Sequence, residues 1–550
     1  MRFLLPLAVV ALSAASASGQ RLVVHGGPIY TVDAAQPTAQ AFAVEDGRFV
    51  AVGAEAEVLA GRGEWPRLDL DGRTVTPGLI DAHAHLMGLG QALLSADLVG
   101  TASKAEVVER LVAFAETLPD GAWVTGRGWD QNDWGGDGAF PTRADLDRAF
   151  PDRPVWLGRV DGHAGWANTA ALRAAGIDPD APAPADMEGG AVLRDDRGRP
   201  TGVFVDAAEG LIQQAVPEPD LAFAQEALRR ALQETARHGL TGVHEAGTPL
   251  AVLPLYRQFA ARGAFPIRVY AMITPEEIGP FCDATPDGVA EDRLRVRSVK
   301  LYADGALGSR GAALLADYAD EPGNTGLLFR QPDALQATVR AAMACGLQVN
   351  THAIGDRANR VVLDAYAAAI ERTGGGPGRH RVEHVQVLHL DDVERFAEMG
   401  VIASVQPTHA TSDMPWAGDR LGEDRLKGAY AWRRLIDGGA RLALGSDFPV
   451  ERVDPLLGFY ASVTRQDAAG MPAGGWYGNQ VLTRVEALKG FTLDAAYAGF
   501  MEDEVGSIAP GKRADWVVFS QDLMTVPQEE ILATEVVSTW IDGVAVYQSE

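Results

Sequence analysis

His83 and His85 stand two residues apart at the end of the apolar run TVTPGLIDAHAHLMG (74–88), in a chain that has eleven histidines. Alternate residues of a strand face the same side, so the two imidazoles point together. A neutral imidazole pair at the end of a buried strand is half of a zinc site, normally completed by further histidines or a carboxylate. Three other segments end in the same way: LQVNTHAIGD in His352, RVEHVQVL in His384 and LALGSDFP in Asp447. Taken singly, each has an ordinary reading, a core histidine satisfied by a carbonyl or an aspartate capping a helix. Five such groups at the ends of four strands point to a divalent-metal site. Lys300, in RSVKLYADG, is a sixth candidate, because a buried ammonium without a partner is costly and the chain has only five lysines against forty-three arginines. Two readings of it stand open: carbamylation into a carboxylate-like ligand that bridges two ions, or pairing with nearby Asp304.

Other residues could touch a substrate. His163 in DGHAGW and His409 in VQPTHA are candidates for substrate contact or for stabilising an oxyanion, against a packing role. His409 is expected at the end of the seventh strand of the central alternation, and His244 could also face the pocket. Trp129, Trp134 and Trp166 wall an apolar substrate site or form the core of a lid. Asp356 and Arg357 read as a helix start with an orienting group. His25, His238, His380 and His389 offer only structure.

The elements that must position these groups alternate strand and helix. VTPGLIDAHAH, TGVHEAG, IRVYAMI, RSVKLYADG, GLQVNTHAIG, RVEHVQVL, VIASVQPTH and RLALGSDFPV are near-continuous apolar strands, as in a parallel sheet buried on both faces. Between them lie helical stretches such as QPDALQATVRAAMACG and NRVVLDAYAAAIERTG. Eight strands with crossover helices predict a (β/α)8 TIM barrel over residues 77–500, with the site at the C-terminal strand ends. A barrel needs only about 250 residues. The excess is an insertion after the first barrel strand, roughly 90–235, rich in Trp and Gly and expected to cover the pocket as a lid. Residues 20–76 and 501–550 carry short β-rich runs that together predict one small β-sandwich, with EDGR and LDGR as hairpin turns.

Composition narrows the partners. A formal net charge of −26 argues against nucleic acid. Residues 1–19 read as a cleaved signal peptide, with Arg2, an apolar stretch too short to span a bilayer, and Ala15-Ser16-Ala17; the expected location is periplasmic or secreted, with no membrane span. Cys282 and Cys345 are the only cysteines, so a cysteine metal site is excluded and their pairing is left open.

The segments PGLIDAHAH, VKLYADGALGSRGA, THAIGDRAN, RVEHVQ and LGSDFPV, with GWDQNDW and DGHAGWAN in the insertion, resemble the amidohydrolase superfamily, in its family 3 branch of YtcJ-like metal-dependent hydrolases. The resemblance runs over about residues 21–550. It implies one or two divalent ions, zinc first among them. His83, His85 and Asp447 would hold the more buried ion, His352 and His384 the second, and Lys300, carbamylated in some members, would bridge them. The implied chemistry is hydrolysis of a non-peptide C–N bond, in an N-acyl or N-formyl amine or a cyclic amide. A metal-bound hydroxide attacks, and Asp447 acts as the general base and then the acid to the leaving amine. Deamination of a heterocycle with one metal, and an exported binding protein without chemistry, are the alternatives. The substrate is a small molecule, and assembly as a homodimer is left open.

Overall fold

The computed structural model describes residues 20–549 except 120, 136–137, 188, 218–219, 285–288 and 374–377. The expected signal peptide, residues 1–19, lies outside the described residues. Among those described, no helix is long and apolar enough to cross a membrane.

Eight parallel strands form the centre: β1 (Leu79–Ala84), β2 (Leu240–Thr248), β3 (Arg268–Ile273), β4 (Leu294–Tyr302), β5 (Gln348–Ala353), β6 (Arg381–His384), β7 (Ile402–Val405) and β8 (Leu442–Leu444). They pair in chain order from β1 to β8. The seam between β8 and β1 is closed by other bonds. Asp447 N–H donates to His83 O at 2.8 Å, and the Asp81 carboxylate accepts from Ser446 N–H at 3.1 Å. Every residue of β1, β3 and β5 is buried, as strands with helices outside and a filled barrel inside must be. The eight expected strands and the TIM barrel are therefore present.

The helix Leu221–Arg237 shows why the outer layer forms. Asp220 caps it by accepting from Phe223 N–H at 2.8 Å. Leu228, Ala231, Leu232 and Ala236 make one stripe at helical spacing, buried with Leu79 and Leu240 in the barrel core. This corrects the insertion's far boundary: residues 221–235 belong to the barrel layer. The insertion's own sheet has six strands, between Ala96–Asp97 and Pro200–Asp206, over a separate core.

Strands from the two ends of the chain join into one sheet of eight, with Thr74–Pro77 antiparallel to Trp516–Phe519. Trp516 and Phe42 lie three strands apart, about 14 Å on a flat sheet, yet their rings meet at 5.2 Å. The sheet curls over to enclose Phe42, Phe49 and Trp516, which is how the expected sandwich is realised. EDGR makes the hairpin turn: Asp46 (φ 51°) and Gly47 (φ 76°) both take the left-handed conformation of a type I′ loop. LDGR does not. The strands on either side of it, Arg67–Asp69 and Thr74–Pro77, both run parallel to Arg21–Tyr30, so its tight turn leaves the strand direction unchanged.

Cys282, on the helix Ile278–Ala284, is disulfide-bonded to Cys345, which follows the helix Pro332–Ala344.

Candidate metal centre

The C-terminal strand ends open into a cavity of about 1080 Å³, lined by barrel loops and by Arg127, Arg159 and His163 of the insertion. His83 is fully buried at the end of β1, and His85, which lines the cavity, immediately precedes the helix Leu86–Ala92. Their rings are 5.6 Å apart, as strand alternation requires. Glu245 of β2 accepts hydrogen bonds from Leu86 N–H and Met87 N–H, and a carboxylate at a helix N-terminus is favoured by the dipole there. That cap fixes the turn that carries His85.

His83 Nδ1 donates to Glu383 Oε2 at 2.5 Å, and Glu383 Oε1 is 2.8 Å from Arg381 Nε. This bond sets the tautomer, leaving the Nε2 lone pair facing Asp447 Oδ1 at 3.5 Å. His85 Nε2 lies 3.0 Å from the same oxygen. His384 Nδ1 and His409 Nε2 lie 3.9 and 3.8 Å from Asp447 Oδ2. Asp447 is thus shared by two sets of possible ligands, His83–His85–Asp447 and His384–His409–Asp447. His384 Nδ1 donates to Gln406 Oε1 at 2.8 Å, which leaves its Nε2 lone pair free. Asp447 (φ 62°) and His384 (φ 76°) both hold left-handed backbone, a strain of about 1–3 kcal/mol each that surrounding structure must impose.

The electrostatics suit a cation. Burial, with help from the Lys300 ammonium, pushes His83 down to about 4, so the ring is neutral as a ligand must be. Burial also holds His352 and His384 well below the usual imidazole range. Burial raises Asp447, but the hydrogen bond from His85 is among the contacts that hold its carboxylate well below the usual range. His163 is the opposite case: burial lowers it, but the bond to Asp206 and the charges of Asp206, Asp161 and Glu209 raise it to about 9. Two imidazole lone pairs and a carboxylate converging within a few ångströms are a donor set for a divalent ion. His409 Nε2, buried with no hydrogen-bond partner among the described residues, is a further unused donor atom on the same floor.

Most of the expected site residues come together, with corrections. His352 lies beside His384, rings 4.5 Å apart, and His409, expected only as a substrate contact, joins His384 and Asp447 in the second cluster. His409 itself is on the helix Pro407–Asp413 rather than at a strand end, because Pro407 stops β7 and starts that helix. Lys300 is buried against the first set and acts electrostatically on His352 and His384 as well. Its ammonium donates to His83 Nε2 at 3.2 Å and lies over the Tyr302 ring. Asp304 is not its partner either, being occupied by the backbone N–H groups of Ala313, Ile354 and Gly355. Trp129 and Trp166 are wholly buried in the insertion's core, rings 5.9 Å apart, and do not line the cavity. His244 faces Arg381 at 2.8 Å, not the pocket. Glu383, Arg381 and Glu245 escaped the sequence reading, although an acid in an apolar strand is the same signal that singled out Lys300.

The barrel and the shared aspartate between histidine sets define a metal-dependent hydrolase of the TIM-barrel type. The chain belongs to the amidohydrolase family, whose model matches residues 68–547. It is 36% identical over 532 residues to the putative amidohydrolase YtcJ of Bacillus subtilis (strain 168), covering 95% of this chain and 99% of that one. It is 31% identical over 546 residues to the N-substituted formamide deformylase of Arthrobacter pascens, covering 96% and 98%. Among solved structures, an uncharacterized metal-dependent hydrolase from Pyrococcus horikoshii OT3 superposes with a TM-score of 0.75 at 28% identity, over 92% of this chain and 99% of that one.

Proposed function

We propose that this hydrolase cleaves a non-peptide C–N bond, in an N-acyl or N-formyl amine or a cyclic amide. The observation that carries the reading is Asp447: an ionised carboxylate in contact with both histidine sets on the floor of a cavity large enough for a small organic molecule. A divalent ion held by His83, His85 and Asp447 supplies Lewis acidity, polarising a carbonyl and making water more acidic. Asp447 Oδ2 takes the proton of the attacking water and returns it to the departing nitrogen, because an amine leaves only when protonated. His85, set by the helix capped by Glu245, keeps its Nε2 3.0 Å from Asp447 Oδ1 and so keeps that carboxylate aimed, while Glu383 fixes His83 with its Nε2 lone pair towards the ion. The full-length likeness to an N-substituted formamide deformylase supports formamides as the first substrates to try. The Cys282–Cys345 bond supports the export expected from residues 1–19, since structural disulfides persist in oxidising compartments.

The test is a panel of N-formyl amines, N-acyl amines and cyclic amides, run with wild type and Asp447→Asn at measured metal content. Release of an amine by wild type and its loss in the variant are expected. Ammonia released from heterocycles would favour deamination, and turnover retained by Asp447→Asn with normal metal would refute the proton-transfer role.

A further inference from the structure

The insertion also brings a histidine to the cavity. His163 Nδ1 donates to Asp206 Oδ1 at 2.6 Å, which leaves Nε2 as the ring's remaining polar atom on a residue that lines the cavity. The ring stands 5.4 Å from that of His352, which is 4.5 Å from that of His384, so a row of three imidazoles leads across the pocket to Asp447. Asp206 is held unusually firmly. It takes left-handed backbone at φ 51°, its N–H donates to His163 O at 3.1 Å, and its Oδ2 is buried without a hydrogen-bond partner among the described residues. That oxygen is seated against two glycines of the loop after β4. A Cβ at Gly305 or Gly311 would come within 3.0 or 3.1 Å of it. An insertion residue is thereby seated closely against a barrel loop, where a larger residue would make the carboxylate give way. Charged groups around His163 include Asp161, tied by Arg159, buried Glu209 and Asp304.

An aspartate that accepts from one ring nitrogen leaves the other as an N–H donor only in the imidazolium, the form that the carboxylates of Asp206, Asp161 and Glu209 around His163 favour. We infer that His163 is a catalytic hydrogen-bond donor supplied by the insertion, with Asp206 as its positioning residue, and that it stabilises the negative charge that builds on the substrate's carbonyl oxygen. The barrel then provides the base, Asp447, and the insertion provides a donor across the cavity from it. The role deepens the proposed C–N hydrolysis and rests on that reading for the identity of the carbonyl.

The test uses the metal-loaded full chain. In His163→Gln, kcat should fall about 10²- to 10³-fold with little change in KM, the usual cost of one oxyanion donor. Asp206→Asn should lower kcat about 10- to 100-fold, as loss of an orienting partner does. The double variant should be no worse than His163→Gln, since the two act through one ring. Imidazole should restore turnover to His163→Gly, which a packing role would not allow. Ethylphosphonate, a tetrahedral anion, should bind at least tenfold more weakly to His163→Gln than to wild type at equal metal content. A change confined to KM, additive effects of the two substitutions, or phosphonate binding independent of His163 would overturn the inference. If wild type ignores every C–N substrate while phosphonate binding still depends on His163, the proposed reaction fails and the donor stands.

Discussion

Glu383→Gln isolates the bond that fixes His83. Both residues are fully buried, and the glutamate joins the imidazole to Arg381. The amide keeps the shape but removes the charge, so Nδ1 is no longer held as the donor and Nε2 loses basicity. Losing such an outer partner weakens metal binding by about 10- to 100-fold, which is about 1.4–2.7 kcal/mol. Arg381 loses its ion pair as well, although it keeps Ala82 O, Ser404 Oγ and His244 as neighbours. Breaking a buried pair costs about 3–5 kcal/mol, and the remaining contacts place this variant at the lower end. Metal affinity is read by titration against a chromophoric chelator at pH 7, and stability by denaturant unfolding of the metal-free protein. A folded variant that binds metal within twofold of wild type would refute the idea that Glu383 tunes His83.

Two further predictions concern stability. His380 is buried, its Nδ1 accepts from Val349 N–H at 3.0 Å, and burial lowers it to about 4. The unfolded ring, at about 6.5, holds more protons than the folded one between pH 6.5 and 4, so its contribution is present above pH 6.5 and is lost as pH falls towards 4. About 3 kcal/mol is involved at 1.36 kcal/mol per unit; denaturant unfolding across that range should give a shallower slope in His380→Gln than in wild type, the remainder coming from the other buried histidines. The Cys282–Cys345 bond closes a loop of 63 residues, so Cys282→Ser with Cys345→Ser should lower the unfolding free energy by up to about 4 kcal/mol. Equal stability of that variant and the oxidised protein would show that the bond adds nothing to the fold.

Much of the site was legible because its chemistry is punctuated. His83, His85, His384 and Asp447 each interrupt or follow an apolar run where a barrel strand should stop, and the parallel-sheet pattern alone places those stops on one face. What stayed hidden depends on distance. Trp129 and Trp166 fill an insertion core in the same apolar way that they would wall a pocket, and no spacing separates the two. His409 reads as a strand end because the apolar run VIASV leads up to it, although Pro407 two residues earlier is the residue that starts the helix. The likeness of LDGR to EDGR is real at the level of turn chemistry, since both use Asp-Gly at positive φ. Whether such a turn reverses the chain depends on partners hundreds of residues away. Glu383 and Asp206 matter through the histidines that they hold, and those pairs span 300 and 43 residues.

The antiparallel pairing of Thr74–Pro77 with Trp516–Phe519 has a temporal side. A ribosome adding about 5–20 residues per second needs roughly 20–90 s to reach the second strand after making the first. During that interval the early strands expose an unpaired edge, a template for stray association. Their partner arrives only after every strand of the barrel has been synthesised. The sheet is therefore the last piece to be completed, and it acts as a clasp on a chain whose catalytic half is already in hand.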